Sequence, residues 1–182
     1  MRVLIDANVL VPSVLREMVL GAAAAGGFAP LWSARILEEW ARATRRLPEG
    51  AEAVARAEIA AMRDAWPEAE VPVDPDLEAM LSLPDPDDRH VLAAAIVGRA
   101  EALLTRNRAD FPTRTLARHG VILRDPDGLL CEFAAEGVDV ASVAEAVRAR
   151  AEAVSGRPQA LRGMLKRAGL PRLGKAFSHA WD

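Results

Sequence analysis

The segments RVLI (2–5) and VLV (9–11) flank Asp6, Ala7 and Asn8, and neither Gly nor Pro intervenes before Pro12. A short run so rich in Val, Ile and Leu predicts a buried parallel strand that ends near Asp6. Helical spacing follows over 14–25 and stops at Gly26-Gly27. Residues 28–32 predict a second short strand, and Ser33 suits the N-cap of a helix over 34–46, with Pro48 just beyond. The Ala-rich stretch 51–65 predicts another helix, and EVPVDPD (70–76) a short edge strand or extended connection. A brief helix over 77–83, a turn at PDPDD (84–88), a helix over 89–99, a strand at ALLT (102–105) and a strand at 121–123 complete this part. Alternating strands and helices imply an α/β three-layer sandwich around a mostly parallel sheet. After Pro126-Asp127-Gly128 the pattern turns purely helical, near 129–135, 140–154 and 158–169, with breaks at Gly137, Gly156 and Gly169-Leu170-Pro171. The expected division is a core of residues 1–127 and a helical annex of 128–182.

Composition narrows the class. The chain has 182 residues, enough for one compact domain with a small appendage. No apolar run approaches the roughly 20 residues of a membrane span, and Asp6 interrupts the apolar start as a signal peptide would not allow. A single cysteine, Cys131, excludes an internal disulfide framework and a cysteine-built zinc site. A soluble, cytoplasmic protein is the expectation. The formal charge of −3 hides an asymmetry: residues 142–182 carry eight Arg/Lys against three acids, while 1–141 carry 15 against 23. That is an acidic body with a basic arm, which suits contact with a polyanion and equally suits a solvated basic helix.

In an open parallel sheet, ligands bind beyond the carboxyl ends of the strands. Asp6 and Asn8 follow the first strand, and Thr105, Asn107 and Asp110 follow ALLT. Asp85, Asp87 and Asp88 precede the helix that begins at Arg89. In the helix from 34, Ile36, Leu37 and Trp40 set the apolar stripe. At about 100° per residue, Glu39 lies nearer that stripe than Glu38 does. Carboxylates gathered without matching cations repel one another, and a divalent cation relieves this. Oxygen donors without clustered Cys or His favour Mg²⁺ or Mn²⁺ over zinc, and phosphodiester hydrolysis is chemistry suited to such a site. Each residue also has a plainer reading. Asp87 or Asp88 suits a helix N-cap, Asp110 a turn before Phe111-Pro112, and Glu39 a surface position. His90 and His119 read as surface or packing histidines, and Trp32 and Trp40 as core.

The ordered set LIDANVLV, WSARILEEW, LPDPDDRHVLAAAI and LLTRNRADFP resembles the PIN-domain family of metal-dependent ribonucleases over residues 2 to about 127. Within it, the resemblance is to the VapC-type toxins of toxin–antitoxin pairs. The resemblance implies a PIN-like three-layer α/β/α fold in which Asp6, Glu39, Asp88 and Asp110 hold Mg²⁺ or Mn²⁺. Asn8, Thr105 and Asn107 would orient the ligands or water, and Asp85 or Asp87 would be an outer partner. Many family members have Asp where this chain has Asn107, which shifts part of that role to Asp110. The implied reaction is endonucleolytic cleavage of RNA by metal-activated water, leaving 5′-phosphate and 3′-hydroxyl ends. Implied partners are an RNA substrate such as tRNA, a cognate antitoxin and a second copy of the chain in a homodimer. Arg106, Arg108, Arg162, Lys166, Arg167 and Lys175 are candidates for contacts to the RNA backbone.

Other functional classes fit less well. A phosphoaccepting receiver domain wants paired acids after strand one and a Lys after the last strand, and this chain has Asp6-Ala7-Asn8 and Arg124. A phosphatase of the haloacid dehalogenase type wants D-x-D where this chain has D-A-N. A free-standing RNA-processing nuclease, a DNA-directed nuclease and a catalytically silent PIN-like binding module remain as alternatives.

Overall fold

The computed structural model describes residues 1–178; the expected annex runs to 182, so 179–182 lie outside the described residues. In chain order the first elements are β1 (Arg2–Ile5), α1 (Ala7–Leu10), α2 (Ser13–Ala24), β2 (Ala29–Ser33), α3 (Ala34–Ala43), α4 (Ala51–Ala65), β3 (Glu70–Val71), α5 (Pro75–Met80) and α6 (Arg89–Val97). Then come β4 (Ala102–Leu104), α7 (Thr113–Ala117), β5 (Ile122–Arg124), α8 (Pro126–Ala135), α9 (Val140–Ser155), α10 (Leu161–Arg167) and α11 (Pro171–Ser178). The chain forms two compact units, one of residues 1–11 and 29–124, the other of residues 12–28 with everything from 125 onward.

The first unit is built on a five-stranded sheet in the order β3-β2-β1-β4-β5. Every neighbouring pair is parallel. This is the α/β fold that the alternation of strands and helices predicts. β1 is central, and Val3, Leu4 and Ile5 are all fully buried, which is why its sequence is continuously apolar rather than alternating. From β1 the chain steps outward through β2 to β3, then returns past β1 to β4 and β5. With right-handed crossovers this reversal sets α3 and α4 on one face and α6 and α7 on the other. It also opens a crevice between β1 and β4 at their carboxyl ends, the place where open α/β sheets bind ligands. The register pairs Leu4 with Leu31 and with Leu103, so two residues further on Ser33, Asp6 and Thr105 share one row across the sheet end. Trp32 and Trp40 are core, both without exposed surface.

The second unit is all helical. α2 packs on α9 and α8, α8 on α11, and α10 on α11. Phe28 stacks on Phe133, ring centroids 5.6 Å apart. Asp127, only 6% exposed, accepts the backbone N–H groups of Arg172 and Leu173 at 2.9 and 3.0 Å, tying the start of α11 to α8.

Several elements differ from expectation at their ends, for local reasons. Pro126-Asp127-Gly128 is the first turn of α8, which starts before the expected 129: Asp125 Oδ1 accepts Gly128 N, and proline occupies the first helical position. The same device starts α5 at Pro75, where Asp74 accepts Leu77 N, two residues before the expected start. Pro171 likewise opens α11, which the sequence reading took as the chain's break. The five-residue α7 went unpredicted, being too short to show a period. The helix from 34 gives way after Ala43 to a single 3₁₀ turn at Thr44–Arg46.

Candidate active site

Asp6 ends β1 and continues the sheet by one bond, its N–H donating to Leu104 O at 3.0 Å. The residue is only 6% exposed. Its Oδ2 accepts Thr105 Oγ1 at 2.7 Å and Asn8 Nδ2 at 2.5 Å. Asn8 Nδ2 also donates to Thr105 Oγ1 at 2.9 Å, and Asn8 Oδ1 accepts Arg106 N at 2.9 Å. Asn107 N donates to Thr105 Oγ1 at 3.0 Å. Asn8 and Thr105 therefore lock the ends of β1 and β4 together around one carboxylate oxygen. Further along the same loop the Asn107 side-chain amide donates to Asp110 Oδ2. An Asp at 107 would set a second charge against Asp110; the amide instead supplies a donor that fixes its rotamer.

Asp85 and Asp88 arrive from the other direction, on the 3₁₀ turn Pro86–Asp88 that leads into α6. Asp85 Oδ1 accepts Asp87 N at 2.9 Å, which holds the turn. One carboxylate oxygen from each of Asp85, Asp88 and Asp110 lies within 4.8 Å of the others. Among the described residues no cation pairs with Asp6, Asp85, Asp88 or Asp110. The electrostatic consequence is strong. Partial burial first, then the charges of Asp6, Asp85 and Asp110, push the Asp88 carboxyl up to about 6 from an ordinary 3.8. Burial likewise raises Asp6, against the bonds from Thr105 and Ala7, with the charge of Glu39 adding to the rise.

Glu39 sits apart from this trio, on α3. Ser33 Oγ accepts Ile36 N at 3.2 Å and so fixes where α3 begins and where its faces point. Glu39 Oε1 accepts His90 Nε2 at 2.9 Å and Arg35 Nε at 3.2 Å. Burial works to raise its carboxyl, but the His90 bond and Arg35 outweigh it and the net shift is downward. Glu38, the residue set aside, is taken up by Arg42 and Arg56 at the surface, and these bonds hold it down at about 2.

The trio that could hold a cation is therefore Asp88 and Asp110 with Asp85, named in the sequence only as an outer partner. Asp6 borders it and Glu39 reaches the group through its field on Asp6. Asp87 contributes through its backbone, its carbonyl accepting Arg35 Nη2 at 3.4 Å. Two residues escaped the sequence reading. Arg35 bridges Glu39 and Glu78, the latter at 3.1 Å. His90, read as a surface or packing residue, is 5% exposed and aims Nε2 at Glu39, while its Nδ1 is buried without a partner. The usable signal was its place two residues after Asp88, on a helix apolar on nearly every side. Arg106 and Arg108 lie exposed on the loop after β4. Arg162, Lys166, Arg167 and Lys175 belong to the second unit, on α10 and α11.

The donor set is chemically coherent. Three carboxylates within reach of one ion, all oxygen and none balanced by a cation, fit a hard divalent metal such as Mg²⁺ or Mn²⁺. PIN domains are typically metal-dependent nucleases that act on RNA. The family model described as the PIN domain matches residues 2–109, which spans β1 through Asn107 and includes Asp6, Glu39, Asp85 and Asp88. No curated protein and no solved structure matched the chain. With that match over more than half its length, on a parallel sheet whose carboxyl ends gather these acids, the chain belongs to the PIN-domain family.

Proposed function

We propose that this protein is a Mg²⁺- or Mn²⁺-dependent endoribonuclease whose site is the acidic cluster at the carboxyl ends of β1 and β4. The observation that carries the reading is the approach of Asp85, Asp88 and Asp110 to within 4.8 Å with no cation among the described residues to offset them. Asp88 and Asp110 would hold the ion with Asp6, and Asp85 and Glu39 would complete its surroundings. A divalent cation bound there supplies an activated water and neutralises charge that builds on the phosphoryl oxygens. The chain's own residues do the rest. Thr105 and Asn8 fix the Asp6 carboxylate, Asn107 fixes Asp110, and His90 with Arg35 keep Glu39 ionised and oriented. Because the cluster repels phosphate, backbone affinity has to come from exposed cations, of which Arg106 and Arg108 are nearest in sequence.

The resemblance of residues 2–127 to VapC-type toxins supports a finer form of the proposal. In that form the chain is a cytoplasmic, homodimeric toxin silenced by a cognate antitoxin, with tRNA as a substrate.

The test is incubation of pooled tRNA and a generic single-stranded RNA with Mn²⁺, Mg²⁺ or EDTA, alongside Asp6→Asn, with product ends mapped. The expected result is metal-dependent cleavage that leaves 5′-phosphates and falls by 100-fold or more in the variant. The metal should also raise the wild-type Tm, by about 2.7 kcal/mol of stabilisation at a hundredfold excess over Kd. Absence of both cleavage and metal stabilisation would sink the enzyme reading and favour a silent binding module.

A further inference from the structure

We propose that the α10–α11 pair is a nucleic-acid backbone-binding surface, distinct from the acidic cluster and built on the second unit. In the first unit Arg35, Arg42, Arg45, Arg56 and Arg63 all make ion pairs with glutamates. In the second unit α9 does the same: Arg148 bonds Glu145 and Glu152, and Arg150 bonds Glu17. Within the second unit this pairing ends with α9. Residues 153–178 carry six Arg/Lys and not one Asp or Glu. Arg157, Arg162, Lys166 and Lys175 are exposed and, among the described residues, their side chains meet no acid. Arg167 is exposed and bonds the neutral Gln159, keeping its full charge available. A surface serving solubility alone would intersperse the signs, as α9 does.

The two helices that carry these cations are firmly packed together. Leu165, Leu170 and Leu173 are fully buried, and Asp127 grips the first turn of α11. Gly174 lets the two helices close up: a Cβ there would lie 3.3 Å from Arg162 O and 3.4 Å from Leu165 Cβ. Arg162 and Lys166, four apart, share one face of α10, and Lys175 adjoins the crossing point. Because the helices that carry these cations are already packed, meeting a polyanion orders their side chains without having to order the backbone as well. The choice of RNA as that polyanion rests on the nuclease reading, in which the acidic cluster repels phosphate and leaves affinity to other parts of the chain.

The experiment is fluorescence anisotropy of a labelled single-stranded RNA with the full chain in EDTA, where binding is read without cleavage, over a range of salt. Arg162→Gln with Lys166→Gln should reduce the slope of log K against log[salt] by about 1.4, at about 0.7 for each single-strand phosphate contact. Kd near 0.1 M salt should rise on the order of tenfold. Arg162→Lys, which keeps the charge, should restore its share of the slope. Arg148→Gln with Arg150→Gln, already paired on α9, should leave the slope unchanged. Circular dichroism and Tm check that each variant is folded. Co-sedimentation of the same proteins with phosphatidylserine vesicles is run in parallel; an unchanged RNA slope in the α10 double variant overturns the proposal, as does a double variant that loses vesicle binding while its RNA binding is intact. Cleavage is scored separately, so a chain that cleaves with an unaltered slope defeats this inference alone. One that shows the slope change without cleaving defeats only the nuclease reading.

Discussion

Asp88 and Glu39 are both carboxylates within the same region, yet their surroundings move them in opposite directions. Asp88 is raised to about 6 by burial and three neighbouring acids, whereas His90 and Arg35 bring Glu39 below its ordinary value. The Asp88 shift has a stability consequence. Between about pH 4 and 6 the folded chain binds a proton that the unfolded chain releases, so this group's contribution falls as pH rises through that window and is most favourable below it. In EDTA, Asp88→Asn should therefore melt higher than wild type near pH 7, with the gap closing as pH falls toward 4. Differential scanning fluorimetry of the pair across that range is the measurement, and a gap independent of pH would contradict it. The residues themselves were largely legible in the sequence. A buried strand that ends in an acid drew attention to Asp6, and helical phase separated Glu39 from Glu38. His90 and Arg35 were not legible, because their importance comes from whom they touch: His90 lies 51 positions from Glu39 and reaches it only because the fold brings the start of α6 to that side chain.

At the level of elements, short polar signals set most of the boundaries. Ser33, Asp74, Asp125 and Asp139 each accept a backbone N–H from the first turn of the helix they precede. Three helices open on proline, which the chain reads as a start where a composition-based reading sees an interruption. Close packing sets another constraint at Gly21 on α2, where an added Cβ would lie 2.4 Å from Val143 Cγ1 on α9. A β-branched side chain has few rotamers to escape into. Gly21→Ala should therefore be destabilising, an overpacking cost of about 1–3 kcal/mol set against a helix-propensity gain of about 1 kcal/mol. Val143→Ala makes room for the new methyl. Chemical denaturation of the two single variants and the double should show a favourable coupling of at least about 0.5 kcal/mol; strictly additive effects would mean the helices do not meet there as described.

For the whole molecule the consequential feature is the division of the chain. The sequence suggests a cut at 127/128, but the second unit takes α2 from near the N-terminus and packs it on α8 and α9. Leu15, Met18, Val19 and Ala22 on α2 are buried. A chain ending at residue 127 would keep α2 and lose α9, exposing much of that apolar stripe. It should be poorly soluble or melt well below the full chain, as judged by size-exclusion chromatography and Tm. A monodisperse fragment with full-length stability would show that α2 needs no such cover. For the same reason the role of the basic arm is better tested by substitution than by deletion. No helix among the described residues is long and apolar enough to cross a membrane.

The sequence by itself determined the fold class and the family, and it drew attention to the acids of the candidate site. Strand and helix periodicity, helix caps and the positions of acids after apolar runs are local properties, and local properties survive in a one-dimensional string. What only the tertiary structure decided was nonlocal. Asp85 approaches Asp88 and Asp110 because a 3₁₀ turn carries it across to the loop after β4. Asn107 supplies a donor to Asp110, and His90 is directed at Glu39. α2 belongs with the C-terminal helices. Each of these depends on which surfaces exclude water from one another, and burial is a property of the packed chain rather than of any segment of it.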